Sequence, residues 1–432
     1  MSAPANILRL AFFGDDFTGS TDALESLTRA GLRTALFLEP PTPEQLAALD
    51  EPLDAIGVAG LTRSLASAEM EAVLRPALTA LRELGPRHVH YKVCSTFDSS
   101  PTVGSIGRAL EIGREVFAQR WVPLLVGAPA LGRYVVFGNL FARFGIGSAG
   151  AIHRLDRHPA MMAHPVTPMH EADLLQHLAA QTTLPGALLD VLALDGDAEA
   201  ALEQLLADEA LAVVLFDGLT PAHLETAGRL IDEARAKSAG PGPWFSVGSS
   251  AVSVALAGQG AAPQWPTPES VAPLLVVSGS CSPVTAGQIT WAAENEFKIL
   301  TVDAAEPDWA TVQRRAIEAM QLGRSVVICT SLGPVETVVP AATLGPTLGW
   351  VAGEILRETG GRRLLVAGGD TSSYVGRALG IESLRMVAPL APGAPLCAAR
   401  GASLPVPSLE VVFKGGQVGA PDFFAAVRRG CL

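Results

Sequence analysis

The stretch GDDFTGSTDAL, residues 14–24, sets Asp15 and Asp16 side by side directly after an apolar run, with Thr18, Gly19, Ser20 and Thr21 close behind. Two readings of it stand open. Asp16 or Thr18 is a good N-cap for the helical segment that follows. An adjacent carboxylate pair among hydroxyls is equally suited to orient or deprotonate a hydroxyl of a small substrate. Other apolar runs of the first half also end in polar groups: Lys92, Cys94, Ser95 and Thr96 after 88–93, Arg133 after 121–127, and Asp217 near the end of 211–218. Lys92 could pair with a structural acid. Taken together, the acids, two cations and hydroxyls at neighbouring strand ends suit a small polyol that carries a carboxylate.

The second half repeats a different pattern. Its apolar runs 273–279, 324–330, 362–369 and 408–416 end in Ser278-Gly279-Ser280, Thr330-Ser331-Leu332-Gly333, Gly368-Gly369-Asp370-Thr371 and Lys414-Gly415-Gly416. Ligands of open α/β sheets bind at the carboxyl ends of strands. Glycine there lets backbone approach a phosphate, and the next helix N-terminus supplies oriented N–H groups. Ordinary turn and cap chemistry is the alternative for each loop taken singly. No Gly-x-x-x-x-Gly-Lys-Ser/Thr is present, which excludes the ordinary P-loop.

GIGSAG at 145–150 spells Gly-x-Gly-x-x-Gly, with Asp173 downstream. NLFARF before it does not read as a clean strand, and Pro159 arrives before a helix can develop. A dinucleotide site, and with it an NAD(P)-dependent hydroxy-acid dehydrogenase, is therefore the lesser reading. His153, His158, His164, His170 and His177 crowd together without i, i+4 spacing, which suits loop and surface histidines rather than a metal site.

These residues need strands to present them. Short apolar runs alternating with helix-period segments predict an α/β protein whose mainly parallel sheets are flanked by helices. At 432 residues two domains are expected: a substrate domain over 1–240, a Gly-, Ala-, Ser- and Pro-rich crossing at 241–270, and a second domain over 271–432. The net charge of −12 (31 cationic against 43 anionic residues) lacks the footprint of a nucleic-acid or anionic-membrane binder. Five scattered cysteines without a Cys-x-x-Cys pair, and no apolar stretch of membrane-spanning length, lead us to expect a cytoplasmic protein with reduced thiols.

Over nearly the whole chain these motifs resemble the four-carbon acid sugar kinase family, long classed as a domain of unknown function. Its N-terminal Asp-Asp-x-Thr-Gly matches Asp15 to Gly19, and its proline–glycine–arginine segment is similar to GAPALGRYVVFGNLFAR at 127–143. VVSGSCSPVTAGQI (276–289), AGGDTSSYVGRALGI (367–381) and KGGQVG (414–419) resemble its nucleotide-domain motifs. The resemblance implies a two-domain ATP-dependent kinase of acid sugars such as threonate, erythronate or 3-oxo-tetronate, with the active site in the interdomain cleft. ATP phosphates would lie near Ser278, Gly279, Ser280, Ser282, Gly368, Gly369, Asp370, Thr371, Lys414, Gly415 and Gly416. Mg²⁺ would enter with ATP, its protein ligands left open. Asp16 is the expected catalytic residue and Asp370 the rival base or Mg²⁺ ligand. Asp15, Thr18, Lys92, Ser95, Thr96, Arg133 and Asp217 would surround the acid sugar. A homodimer is expected from family habit, and a sugar-acid sensor without turnover is the non-enzymatic alternative.

One segment departs from the pattern. The family's Lys-x-Asp-Ser-Thr-x-Arg-Gly-Asn reads here KVCSTFDSSPTVGSIG (92–107), with Cys94 for the Asp, several inserted residues, and Val103 where the Arg should stand. Arg108, Arg133 or a histidine is then the expected replacement for that Arg. A branched or oxo acid sugar, for example 3-oxo-isoapionate, competes with plain threonate and erythronate as substrate.

Overall fold

A computed structural model describes residues 8–144, 150–162, 167–238, 242–258, 263–333 and 339–431. They form two compact units, one of residues 8–34 and 39–263, the other of residues 35–38 and 264–431.

The first unit is built on seven parallel strands, in the order Ala55–Ala59, Leu10–Gly14, His88–Lys92, Trp244–Gly248, Val122–Leu125, Val213–Phe216 and Gly186–Leu189. Helices on both faces make the inner strands apolar throughout: every residue of Leu10–Gly14 and Ala55–Ala59 is buried. Gly14 lies in register with Ala59 on one side and Lys92 on the other, so the residues after all three strands emerge at one edge. A smaller antiparallel sheet of Arg133–Val136, Asn139–Arg143 and Ile152–Arg154 stands apart.

Two expectations change here. NLFARF does contain a strand, Asn139–Arg143, in a hairpin turned by Phe137 and Gly138, both at positive φ. The GIGSAG motif falls at 145–150, of which only Gly150 is among the described residues. The stretch expected as a crossing, as far as Pro263, is part of the first unit. Trp244–Gly248 is an inner strand of its sheet, and the helix Ser250–Ala257 packs on the helices Phe17–Arg29 and Pro221–Lys237. A Cβ on Gly248 would lie 1.9 Å from the Leu125 carbonyl oxygen, so glycine closes that strand for steric reasons.

The second unit has five parallel strands, in the order Lys298–Thr301, Val326–Cys329, Leu275–Ser278, Arg363–Ala367 and Glu410–Lys414. Ala394–Arg400 and Ser383–Ala391 continue that sheet antiparallel. The strand Thr34–Phe37, from far upstream, then pairs antiparallel with Ser383 and Leu384. Among the described residues no helix is long and apolar enough to cross a membrane.

Candidate functional site

In the first unit the three strand-end loops are tied by backbone. Asp15 N–H donates to the Lys92 carbonyl at 2.8 Å, and Arg63 N–H to the Asp15 carbonyl at 3.0 Å. Asp16 caps the helix Phe17–Arg29: its Oδ1 accepts the Gly19 N–H at 2.8 Å, and its Oδ2 accepts the Thr18 hydroxyl at 2.7 Å. The same carboxylate faces Arg63 Nη2 at 2.6 Å. Burial opposes its ionisation, but Arg63, Lys92 and the Thr18 and Gly19 hydrogen bonds outweigh burial and hold its pKa below the ordinary value. A Cβ at Gly19 would stand 2.4 Å from Asp16 Oδ1 and 2.8 Å from Lys92 Nζ, so a larger residue here would displace the capping carboxylate or the lysine.

Asp15 differs from its neighbour. It is buried, and its Oδ1 has no hydrogen-bond partner. Burial first, and the Asp16 charge second, push its carboxyl up to about 7. Lys92 is buried as well; its Nζ donates to the Val93 carbonyl at 3.1 Å and lies 3.6 Å from Asp22 Oδ2. Burial works against its charge, yet Asp22, Asp15 and Asp16 keep it protonated, with its pKa above the ordinary lysine value.

Ser95 and Thr96 follow on the same loop, both buried, with Thr96 Oγ1 3.0 Å from Cys94 Sγ. Burial pushes the Cys94 thiol up to about 12, so the residue standing for the family's aspartate is neutral. Asp98 completes the group, 3.9 Å from Arg63 Nη1.

Arg133 is near this cluster electrostatically, within reach of Cys94, Asp98 and Asp22. Its Nη1, however, donates to the carbonyls of Leu131, Gly132 and Arg143, which makes it chiefly a brace of its own hairpin. Arg108 is elsewhere, paired with Glu111 and Glu71 on a helix face. His177 bonds Ser99, His153 and His158 contact each other, and His223 pairs with Asp195; none joins the Asp15–Arg63 group. The arginine in the cluster is Arg63, on the short turn Thr62–Ser64 after Ala55–Ala59, which sequence reasoning missed. The signal was present: LTRS closes an apolar run just as the other polar loops do.

Asp217 does not join the cluster either. Buried, it accepts N–H groups from Phe137 at 2.6 Å, Gly138 at 3.0 Å and Val191 at 3.1 Å, and so anchors the hairpin turn. Asp217→Ala strands three donors and is expected to lower stability by about 3 kcal/mol, read as a lower urea midpoint. Asp217→Asn, which keeps an acceptor oxygen, is expected to lose less.

In the second unit Leu275–Ser278, Arg363–Ala367 and Glu410–Lys414 are adjacent, so their loops meet at one end. Gly279 N–H donates to Ala367 at 3.2 Å and Gly368 N–H to Lys414 at 2.9 Å. Ser278 Oγ accepts the Ser280 N–H, Ser280 Oγ accepts the Ser282 N–H, and Ser282 caps the helix Pro283–Glu294. Gly368, at φ 122°, starts the helix Gly369–Ala378, with Asp370 exposed in its first turn and Thr371 buried. A Cβ would come within 2.5 Å of Thr371 Oγ1 at Gly279, 2.9 Å of the same atom at Gly368, and 2.8 Å of Ser282 Cβ at Gly416. The glycines thus let the loops close on one another and on the Thr371 and Ser282 side chains, with two helix N-termini among them.

Lys414 supplies charge at this place. It is fully buried; its Nζ donates to Thr285 Oγ1 at 2.9 Å, and the Thr285 hydroxyl donates to the Gly416 carbonyl at 3.0 Å. Among the described residues no carboxylate offsets its charge, and burial lowers its pKa to about 7. No group of three metal-ligating side chains occurs among the described residues. A cavity of about 520 Å³ lined by Trp121, Leu202, Leu230 and Trp244 lies at the amino ends of the first unit's strands, away from the Asp15–Arg63 cluster.

Comparison with known proteins gives the two units an identity. Residues 10–256 match the model of a sugar-binding N-terminal domain, and residues 275–424 that of a nucleotide-binding C-terminal domain. The chain is 42% identical to a 3-oxo-isoapionate kinase of Paraburkholderia graminis, over 99% of this chain and 96% of that protein. It is 33% identical to a 3-oxo-tetronate kinase of Methylobacterium radiotolerans, over 96% of this chain and 98% of that one. A Salmonella typhimurium LT2 protein, solved under a tRNA synthase label, aligns with a TM-score of 0.76 at 26% identity, over 98% of this chain and 99% of its own.

Proposed function

The chain belongs to the four-carbon acid sugar kinase family, and on that premise we propose that it transfers the γ-phosphoryl group of ATP to a hydroxyl of an oxo acid sugar of the 3-oxo-isoapionate type. The observation that carries the kinase reading is the glycine-lined cradle beside a buried lysine that has no carboxylate partner among the described residues. Such a lysine is unfavourable alone and is matched by a ligand phosphate. The choice of acid follows the fuller identity with the 3-oxo-isoapionate kinase and the neutral Cys94 in the altered loop.

Phosphoryl transfer depends on positioning and charge neutralisation. Backbone N–H groups of Cys281, of Gly369 to Thr371 at the helix start and of Gly415–Gly416 hold the phosphates, and Lys414 offsets their charge. Mg²⁺ entering with ATP would neutralise phosphate oxygens, and exposed Asp370 would be the carboxylate to hold it. Arg63, held by Asp16 and Asp98, takes the substrate carboxylate, while Lys92, Ser95, Thr96 and Thr18 line the remaining hydroxyls.

ADP release is to be measured over threonate, erythronate, 3-oxo-tetronate and 3-oxo-isoapionate, beside thermal shifts with ATP–Mg²⁺ and NAD(P). We expect turnover with the oxo acids and the highest kcat/KM with 3-oxo-isoapionate. No ADP from any acid, or stabilisation by NAD(P) and none by ATP, would sink the reading.

A further inference from the structure

Building on the kinase reading, we propose that Asp15, and not its neighbour Asp16, accepts the proton of the hydroxyl that is phosphorylated. Asp16 has both oxygens engaged, Oδ1 by the Gly19 N–H and Oδ2 by Thr18 and Arg63. It is a positioning residue: it caps the helix and aims the guanidinium.

Asp15 is fixed equally firmly by its backbone, between the Lys92 carbonyl and the Arg63 N–H, yet Oδ1 at the tip of its side chain is buried and unpaired. A buried carboxyl oxygen without a donor is unfavourable for the folded chain. Nothing in the capping of the helix calls for it, because Asp16 already caps. A substrate hydroxyl supplies the missing donor.

The surroundings poise this carboxyl for proton transfer. Burial, then Asp16, and more weakly Asp98 disfavour its ionisation, while Arg63 and Lys92 favour it. Tyr91 and Cys94 beside it stay neutral, since burial pushes both upward. The balance is near 7, where a general base combines availability with driving force. In the step itself the substrate oxygen forms its bond to the γ-phosphorus as its proton passes to an Asp15 oxygen. The bond from phosphorus to the β,γ-bridging oxygen breaks, and ADP leaves with that electron pair. Asp15 returns its proton to solvent after product release.

The test is the pH profile of kcat/KM for the acid sugar at saturating ATP–Mg²⁺, for wild type, Asp15→Asn, Asp15→Glu and Asp16→Asn. A base must be ionised to act, so wild-type activity is expected to rise with pH and level off above about 7. Asp15→Asn is expected to lose about 100- to 10,000-fold in kcat and the acid limb with it, while its thermal shift with ATP persists. Asp15→Glu should recover part of the rate with a displaced limb. Asp16→Asn should keep a limb, displaced to lower pH because the Asp16 charge no longer opposes ionisation of Asp15, and raise KM for the acid sugar. The assignment is overturned if Asp15→Asn stays within tenfold of wild type or retains the limb. Loss of the limb in Asp16→Asn overturns it as well, whether or not Asp15→Asn folds. Absence of wild-type turnover with every acid overturns the kinase reading, and this assignment with it.

Discussion

Lys414→Met is expected to reduce kcat/KM for ATP by about 100- to 1,000-fold, because it removes a cation that the second unit buries among its glycine loops. The substitution nearly preserves shape, so its effect reads the charge. The ligand-free protein should tolerate it. Burial depresses the folded-state pKa to about 7 from an ordinary value of 10.5. A base depressed in this way gives full stability above the ordinary value and loses stability as pH falls through the folded value. Below pH 7 the wild-type ammonium is therefore a burden that Met relieves, and urea midpoints at pH 6 should be equal or higher for the variant. Binding should also move a proton. At pH 8 free Lys414 is largely neutral, a bound phosphate restores its charge, and the complex takes up close to one proton. Titration calorimetry in buffers of different ionisation heat would show that uptake in wild type. An equal uptake in Lys414→Met would refute the role.

The second large effect is expected at Arg63. Its side chain is 23% exposed, with Nη2 on Asp16 and Nη1 toward Asp98, which leaves part of the guanidinium open to a ligand carboxylate. Arg63→Lys keeps a charge but loses the planar fork, and a fall of about 100-fold in kcat/KM for the acid sugar is expected. Arg63→Met should fall further, by about 1,000-fold, with KM for ATP unchanged. The neutral lactone of the same acid separates recognition of charge from general damage, since it should lose little in either variant. Equal losses on acid and lactone would count against the assignment. Stability should respond with a definite sign. Arg63 helps depress the Asp16 pKa, and a depressed carboxylate stabilises above its ordinary pKa and loses that contribution as pH falls. The deficit of Arg63→Met is therefore expected at neutral pH and should shrink in acid.

These residues were not equally visible in the sequence. Asp15, Asp16 and Lys92 could be found because a parallel strand buried on both faces reads as a continuous apolar run, and polar residues just past its end stand out. The glycine loops were legible for the same reason. Arg63 was not, because the turn that carries it reads locally as an exit from a strand. Arg133 and Asp217 mark the opposite limit. Their chemistry is right for a site, yet Nη1 of Arg133 and the Asp217 carboxylate go to backbone groups that only the folded hairpin brings near. Trp244–Gly248 was hidden by composition, five residues among Gly, Pro and Ser whose place between His88–Lys92 and Val122–Leu125 is a matter of long-range pairing. Asp15 and Asp16 are alike in sequence; what distinguishes them is which one the helix terminus occupies.

The strand Thr34–Phe37 sets a condition on how this protein can be divided. The second unit draws an edge of its sheet from the beginning of the chain, through pairs with Ser383 and Leu384. A fragment that starts at residue 264 would hold every glycine loop and Lys414, yet it would leave the Ser383–Ala391 edge unpaired and open to other copies. Nucleotide binding studied in isolation would best be pursued on a circularly rearranged or strand-supplemented chain. Ribosomal synthesis faces the same order: the edge piece is made first and waits for its partner until Ser383 and Leu384 have emerged.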